Sequence, residues 1–488
     1  MKQLIYIFII IAGLVSCKSS DTKIYSTSWY FPEPDIQDSL GYEAPASATY
    51  SEGYNTSGPP ANIYSAIKDE KFIAYCKAEG FDGGDGVLTL REAATVTEID
   101  LYSLGVRSLA GIEFFTGLKY LNCGSNQLTE LSNLGKCKKL ISLYCGSNLL
   151  TELPDLGECT NLKFLNCGGN QLTGLSGISK CAKLTHLICS GNPLAQLHSL
   201  DRYTKLIHLG CSYNLLTRLP DLSKCAKLEE LYCDFNQLTE LPDISRCAKL
   251  EQLECSWNQL TELPNFGKRT KLKQLYCDFN QLTKLADLSG CTELEQLSCN
   301  NNLLTELPSF DKCTKLISLS CNNNRLARLP NVDECTVLNG LACEKNQLTK
   351  LPDLSRCTIL EYLDCSGNQL TELQDLNRFA ILKSLDCGSN QLPQLPDISK
   401  CTELYSLDCS DNQLTALPDL SGCAELRHLD CNNNLLTTLD ISKCTKLNYL
   451  DCGSNTFIEI LVWPGFDKNS LSLYNIDHGV IFKERAIM

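Results

Sequence analysis

The sequence predicts an α/β-type, mostly β, repeat solenoid, in which short coils stack and carry one parallel sheet along one face. A first observation is that the frame LxxLxCxxN recurs at a constant step along most of the chain, and only the last step is shorter, by one. A second is that an asparagine follows every frame cysteine at the same short distance, as Asn126 follows Cys123. A third is the Leu-x-Cys alternation, whose period of two is typical of a strand with one buried side. The frame cysteines are Cys123, Cys145, Cys167, Cys189, Cys211, Cys233, Cys255, Cys277, Cys299, Cys321, Cys343, Cys365, Cys387, Cys409, Cys431 and Cys452.

The N-terminus has the pattern of an export signal. One lysine precedes an apolar run, Leu4–Val15, which is too short to span a bilayer and suits a signal peptide. The tetrad Leu14–Cys17 resembles the lipobox of bacterial lipoproteins, and an ordinary secretory signal that ends in Cys is the alternative. The resemblance implies that residues 1–16 are removed and that Cys17 is lipidated. We therefore expect an exported protein, lipid-anchored to the bacterial cell envelope at the outer membrane or cell surface.

Two segments precede the repeats. Residues 17–60 carry Cys17 and then a stretch rich in Ser, Thr, Tyr, Pro and Gly, which predicts a flexible tether. Residues 61–95 predict a small helical N-terminal cap that ends in FDGGDGVLTLRE. That segment resembles a degenerate EF-hand or dockerin-like calcium loop, in which the spacing of the acids is one residue short and Gly83 stands at a ligand position. The segment is either a weak calcium site or a Gly-rich turn. If it binds calcium, which is the one cofactor that the sequence suggests, the candidate ligands are Asp82, Asp85 and Glu92.

The repeat region covers residues 96–457 and contains about 17 coils, each close to the consensus LxxLxCxxNxLTxLPDLSKC. The second Leu and the Cys are expected to point inward, and the Asn amide to satisfy backbone groups where the chain leaves the strand. Pro, Asp and Ser in LPDLS suit a tight turn on the other side. Ile99, Leu101 and Leu104 fit the frame one step before Cys123, as an atypical first coil.

These repeats resemble those of leucine-rich repeat proteins, especially bacterial surface proteins similar to internalins. The resemblance implies a right-handed horseshoe or arc, with the parallel sheet on the concave face and short 3₁₀ or extended segments on the convex side. Residues 458–488 leave the period and predict a β-type C-terminal cap, in which Ile458–Trp463 covers the open edge of the last coil.

The chain contains 30 cysteines, of which sixteen occupy the strand slot and twelve a convex slot. Where the convex slot lacks Cys it holds Tyr203, Arg269 or Phe379, with no matching loss of a partner. Stacked thiols that point the same way also have poor geometry for a disulfide. The pattern favours free thiols packed as small hydrophobic side chains, over a few bridges or a metal or redox role.

One cluster of large side chains lies on the strand positions expected to be exposed. Four consecutive coils place an aromatic residue just before the Asn, where other coils mostly have Ser, Gly or Asn. Such a patch indicates a partner-binding surface. Stacking of neighbouring rings that stiffens the sheet, or recent duplication of the coil, are the alternatives. The candidate residues are Tyr213, Tyr232, Asp234, Phe235, Glu254, Trp257, Tyr276, Asp278 and Phe279, with His186, His208 and Glu230 beside them.

An acidic ladder occupies one column of five successive coils. Like charges at strand spacing repel, unless water, salt or a cation screens them. The ladder is therefore either a set of solvated consensus residues or a site for a basic partner or a cation. Its members are Asp364, Asp386, Asp408, Asp430 and Asp451.

Charge and composition bear on the function. The net charge of −14 and the pI near 5.0 argue against a nucleic-acid partner. They also predict no electrostatic footprint, that is, no basic surface, for binding anionic lipid. His198 and His428 have no nucleophile near them in the sequence, and the C-terminal piece is too short for a catalytic domain. We expect a non-enzymatic scaffold, an adhesin or surface receptor, that binds a host or envelope protein. A structural envelope protein or a glycan-binding module is the alternative, and an enzyme is less favoured.

Overall fold

The computed structural model describes residues 62–131, 133–267, 270–456, 459–475 and 480–485. All of them belong to one compact unit, Pro60–Met488. The leader, Cys17 and the tether that the sequence predicts lie outside the described residues. No helix within the described ranges is long and apolar enough to cross a membrane.

The described chain is a solenoid in which each coil contributes one short strand to a parallel sheet of 18 strands. Each strand pairs in register with the strand of the next coil, so that Leu231 lies beside Leu253 and Leu253 beside Leu275. A second, three-stranded sheet lies near the C-terminus. The main sheet contains β1 (Glu98–Asp100), β2 (Tyr120–Asn122), β3 (Ser142–Tyr144), β4 (Phe164–Asn166), β5 (His186–Ile188), β6 (His208–Gly210), β7 (Glu230–Tyr232), β8 (Gln252–Glu254), β9 (Gln274–Tyr276), β10 (Gln296–Ser298), β11 (Ser318–Ser320), β12 (Gly340–Ala342), β13 (Tyr362–Asp364), β14 (Ser384–Asp386), β15 (Ser406–Asp408), β16 (His428–Asp430), β18 (Tyr449–Asp451) and β20 (Leu473–Asn475), and the second sheet contains β17 (Thr438–Asp440), β19 (Glu459–Val462) and β21 (Ile481–Glu484).

The alternation of each strand sends one side chain into the core and two outward. In β7 the central Leu231 is fully buried, while Glu230 and Tyr232 are half-buried on the outer face. Cys233 and Leu238 of the same coil are also fully buried. The predicted parallel-sheet solenoid is confirmed, and we call the outward side of the main sheet the sheet face.

The frame asparagine closes the turn after each strand. The Nδ2 of Asn236 donates to the carbonyls of Cys211, Cys233 and Asp234 at 3.0–3.1 Å. Its Oδ1 accepts from the N–H of Leu216 at 3.0 Å. The same four bonds join neighbouring coils at both ends of the series, at Asn126 and at Asn455. The asparagine column is therefore structural, because it satisfies backbone groups that burial would leave unpaired.

The side opposite the sheet is made of extended chain and single 3₁₀ turns. The aspartate of the LPDLS segment caps its own turn, as when Asp221 accepts from the N–H of Ser223 at 2.8 Å. The predicted short 3₁₀ or extended segments are confirmed. The 3₁₀ helices are Ile63–Ser65, Ile112–Phe114, Leu134–Lys136, Ser176–Ile178, Leu376–Arg378 and Lys468–Ser470.

The N-terminal cap contains two helices, α1 (Glu70–Ala78) and α2 (Leu90–Ala93). The side chain of Asp69 accepts from the N–H groups of Lys71 and Phe72 and so begins α1. Phe72 and Cys76 are fully buried, and the ring of Phe72 lies against that of Phe115 in the first coil.

The C-terminal segment does not have the predicted arrangement. We expected Ile458–Trp463 to cover the open edge of the last coil, but β19 instead pairs with β17 in the second sheet. The edge of the main sheet is β20, which pairs in parallel with β18 so that Leu450 lies beside Tyr474. This last step along the chain is longer than the step between the repeats. The chain therefore adds a further coil after the repeat pattern has ended.

Every cysteine of the described residues is free and buried. The Sγ of Cys233 donates to the carbonyl of Glu254 at 3.3 Å. Burial raises the pKa of Cys123 to about 12 and that of Cys137 to about 12, which disfavours the reactive thiolate. This arrangement is that of packed thiols.

Candidate functional site

The four aromatic residues before the frame asparagine form one continuous stack on the sheet face. Ring centroids are 4.2 Å apart between Tyr213 and Phe235, 5.3 Å between Phe235 and Trp257, and 3.8 Å between Trp257 and Phe279. The planes of neighbouring rings are within 13° of parallel. Trp257 and Phe279 remain 41% and 38% exposed. Because neighbours cover the inner ring faces, the stack offers a partner mainly its ring edges.

These aromatics stand at a backbone position that does not favour them. Their φ angles are 56° at Tyr213, 52° at Phe235, 55° at Trp257 and 52° at Phe279. Gly169 in another coil has the same left-handed conformation, which glycine adopts without steric cost. For a residue with a side chain that conformation costs roughly 1–2 kcal/mol. The fold therefore requires positive φ here but not an aromatic ring.

A second row of rings crosses the neighbouring strands and leads to the stack. Phe164 stacks on His186 with centroids 4.6 Å apart, His186 on His208 at 6.0 Å, and His208 meets Tyr232 edge-on at 5.0 Å. His208 Nδ1 lies 2.6 Å from a carboxylate oxygen of Glu230, and this contact lowers the pKa of Glu230. Burial and the neighbouring His208 lower the pKa of His186 to about 4. The sequence interpretation missed Phe164, although it shares the strand column of His186 and His208.

The remaining polar groups of the patch are joined by hydrogen bonds. The Tyr232 hydroxyl donates to Gln252 Oε1 at 3.0 Å, and Gln252 Nε2 donates to Glu254 Oε1 at 2.6 Å. The Tyr276 hydroxyl makes the matching bond to Gln296. Burial raises the pKa of Glu254 and brings that of Tyr276 to about 12. The structure thus brings Tyr232, Glu254 and Tyr276 together beside the aromatic stack, as predicted.

Asp234 and Asp278 are not the exposed ligand groups that the sequence suggested. Asp234 is only 8% exposed and accepts from the N–H of Ser256, in the following coil, at 2.7 Å. Asp278 accepts from the N–H of Asn300 at 2.6 Å. Burial raises the pKa of both carboxyls, and the nearby Glu254 raises that of Asp234 further. Both aspartates therefore link successive coils, because each carboxylate accepts from a backbone N–H in the turn of the following coil.

The acidic ladder accepts from the equivalent N–H, that of the residue after the frame cysteine, but each acceptor lies in the same coil as the N–H. Asp386 accepts from the N–H of Gly388 at 3.1 Å, within its own coil. Its pKa is raised to about 8, first by burial and then by Asp408 and Asp364, and that of Asp430 is raised to about 7 by burial and Asp408. The ladder is thus a row of turn caps, a role that the sequence interpretation did not include. The other members, Asp364, Asp408, Asp430 and Asp451, make the same bond at 3.0–3.3 Å.

The candidate calcium ligands have separate structural roles. Asp82 is buried and accepts from the Tyr64 hydroxyl at 3.0 Å, Asp85 from the N–H of Val87, and Glu92 from the N–H of Thr89 in a capping box. Within the described ranges no group of three or more His, Cys, Asp or Glu side chains could hold a metal ion. Each of the three carboxylates is thus engaged in a contact of its own, with a hydroxyl or a backbone N–H.

Comparison with known proteins identifies the repeat. A family model described as leucine-rich repeats (2 copies) matches residues 116–158, 160–202, 204–246, 292–334 and 424–465. None of the curated proteins compared with the chain matches it significantly.

Three solved structures are similar over most of their length. The functional domain of InlJ from Listeria monocytogenes, which includes a cysteine ladder, is 31% identical with a TM-score of 0.59, and the match covers 83% of this chain and 78% of that one. The leucine-rich repeat protein LIC12759 of Leptospira interrogans is 28% identical with a TM-score of 0.58, covering 75% and 92%. YopM from Yersinia enterocolitica is 27% identical with a TM-score of 0.60, covering 80% and 92%.

Proposed function

Because this chain belongs to the leucine-rich repeat family, we propose that it is a non-enzymatic scaffold that binds a protein partner on its sheet face. We propose further that it acts as an adhesin or surface receptor of the bacterial cell envelope. The fold alone names no partner, so the proposal depends on one site.

The observation that carries the proposal is the aromatic stack Tyr213–Phe235–Trp257–Phe279. Its rings occupy positive-φ positions that most other coils fill with Gly, Asn or Ser, and two of the rings stay more than a third exposed. Large, rigid aromatics are the side chains that most often anchor a protein interface. Stacking alone accounts for their contact with each other, but not for their exposure.

The surroundings of the stack indicate the chemistry of the partner. Glu230 and Glu254 lie beside it on the same face. This part of the face therefore suits a polypeptide surface with basic and apolar side chains. A sugar ring would need an open aromatic face, and stacking covers the inner ring faces, so the geometry favours a protein over a glycan.

The envelope location rests on the lipobox-like tetrad that ends at Cys17. Several acyl chains on one cysteine would hold the protein stably at a membrane. Cys17→Ser tests this part: the wild type is expected to incorporate labelled fatty acid and sediment with membranes, and the variant to do neither. Equal labelling of both would contradict the anchor.

The binding proposal is tested by cross-linked capture from envelope and host extracts. The double variant Trp257→Asn, Phe279→Asn keeps a residue suited to positive φ and removes the exposed rings, so it should lose the specific partner. Ser125→Asn with Ser147→Asn is the matched control, because it makes the same residue in the same column away from the stack, at φ 53° and 54°. A partner captured equally by both variants would refute the aromatic site, and capture of this chain alone would favour a structural envelope protein.

A further inference from the structure

The chain enters each strand of the main sheet along one flank of the solenoid, which we call the entry flank. It consists of the positions two and four residues after the convex slot, and the register of the strands stacks these positions coil upon coil. From 116 to 228 these positions hold six lysines and no acidic residue. The lysines are Lys119, Lys139, Lys163, Lys183, Lys205 and Lys227.

This basic segment is exposed and has little internal compensation. All six lysines are exposed, and Lys183 donates to the neutral Asn161 at 2.6 Å. Acids enter the flank only further along, where Glu229 pairs with Lys249 at 3.6 Å and Glu251 with Lys273 at 2.7 Å. The net charge of −14 gives no indication of this basic segment, because its lysines belong to six successive coils and lie together only in the folded solenoid.

The entry flank changes from basic to apolar in later coils. At the same positions Ile317, Val337, Ile359, Ile381 and Tyr405 are 41%, 38%, 42%, 38% and 40% exposed. Two of the charged residues that interrupt this stretch, Lys383 and Glu361, pair with each other at 2.7 Å. Five large apolar side chains in adjoining coils exceed the scattered exposure that is normal for a soluble surface.

We propose that the entry flank docks on a lipid bilayer with anionic headgroups. The lysines would lie at the headgroup phosphates and the branched side chains at the boundary with the acyl chains, which is how amphipathic protein surfaces bind membranes. An acidic polymer in solution would use the lysines but not the apolar segment, which lies further along the flank beyond the charged coils that hold Glu229 and Glu251. The inference rests on the proposed envelope location, and it departs from the expectation of no footprint for anionic lipid that the net charge suggests.

The position of the predicted anchor supports this orientation. Residues 17–61 connect Cys17 to the N-terminal cap, next to the coils that carry the lysines. If residues 17–60 form the flexible tether that the sequence predicts, their root-mean-square reach is roughly 35–40 Å. A lipid on Cys17 would therefore hold the basic segment close to the membrane at a high local concentration.

The test uses the chain from Lys18 onward, which retains the compact unit and lacks the leader and the acylated cysteine. Its binding is measured by co-sedimentation with vesicles of phosphatidylcholine alone or mixed with phosphatidylglycerol. We expect binding to the mixed vesicles only, weakening as salt rises because screening shortens the reach of the charges. Failure to bind the mixed vesicles at low salt would overturn the proposal and would leave the partner site of the sheet face untouched.

Two variants separate the segments of the flank. Lys139→Glu, Lys205→Glu, Lys227→Glu should weaken binding on the order of a hundredfold. Val337→Ser with Ile359→Ser should weaken the binding that persists at high salt. The matched control Arg218→Glu, Lys284→Glu, Lys350→Glu makes the same charge change on the exit side of the strands and should bind more tightly than the entry-flank variant.

Unfolding midpoints close to that of the wild type establish that the variants fold. Equal loss in the entry-flank variant and the control would show that net charge alone matters and would overturn the proposal. Binding of the wild type to a soluble acidic polysaccharide, with no binding to vesicles, would also overturn it.

Discussion

Trp257 and Phe279 occupy the same position in successive coils and stack with ring centroids 3.8 Å apart, each from a backbone with positive φ. Two opposing contributions to stability act on this pair, one from the backbone conformation and one from the stacked rings. The left-handed conformation costs roughly 1–2 kcal/mol per residue, and an aromatic pair contributes about 0.5–1.5 kcal/mol beyond its buried area. The gain from the pair does not exceed the cost at its two residues, so the stack contributes little net stability.

Replacing one ring by a residue suited to the turn should leave stability almost unchanged. Trp257→Asn loses two ring contacts and relieves the strained conformation, so we expect the free energy of unfolding to change by less than about 1 kcal/mol. Urea denaturation followed by circular dichroism measures it. A loss of more than about 3 kcal/mol would show that the stack is a structural element.

Removing one frame asparagine should be far more costly. Asn258 donates to the carbonyls of Cys233, Cys255 and Ser256 and accepts from the N–H of Leu238. Asn258→Ala leaves these buried groups unpaired, which should lower the free energy of unfolding by about 2–5 kcal/mol. The exposed neighbour Gln259 is the control, because Gln259→Ala should cost less than about 0.5 kcal/mol. Similar small effects of both changes would contradict the structural role of the column.

The acidic ladder should make the solenoid less stable as pH rises. Because the folded state raises the pKa of Asp386 to about 8, above the value of about 3.9 in an unfolded chain, protonation favours the folded state. This contribution is full below about pH 4 and is lost as pH rises through 8.

Asp386→Asn retains an oxygen for the N–H of Gly388 and carries no charge. After allowance for solvent screening, it should be more stable than the wild type by about 1–3 kcal/mol at pH 8.5, and equal to it at pH 4. Urea midpoints of both proteins at the two pH values check this. A constant difference at both would show that charge is not the cause.

The cysteines should be protected by the fold. In the folded chain they are buried, and burial raises their pKa, as for Cys189 to about 12. We expect almost no reaction with a thiol reagent at pH 8 under native conditions, and reaction of all the cysteines of the solenoid after unfolding. Few reactive thiols in the denatured, unreduced chain would mean that disulfides are present.

Features that recur in every coil could be predicted, because equivalent positions of successive coils have the same surroundings and hold the same type of residue. The strand register, the inward Leu and Cys and the turn Asn all follow from this repetition. The C-terminal coil could not be foreseen, because β20 follows β18 at a longer step than the repeats have and carries no frame cysteine.

The site was predicted less completely than the fold. Alternation correctly placed Tyr232, Glu254 and Tyr276 on the outer face. It failed for Asp234, whose partner is an N–H in the following coil and whose burial depends on the neighbouring strands. Charge summed over the chain likewise gave no sign of the entry flank, because lysines spaced through the sequence meet only in the folded solenoid.

The two ways of satisfying the turn N–H divide the solenoid into two kinds of module. From Asp234 to Asn322 the acceptor for that N–H comes from the preceding coil, so each coil is matched to its neighbour. From Asp364 to Asp451 the acceptor lies in the same coil, and each coil is complete in this respect. The second group can therefore gain, lose or exchange single coils without leaving a turn unsatisfied. The first group, which carries three of the four stacked aromatics, keeps its turns paired only when each coil follows one that has an acceptor at the matching position.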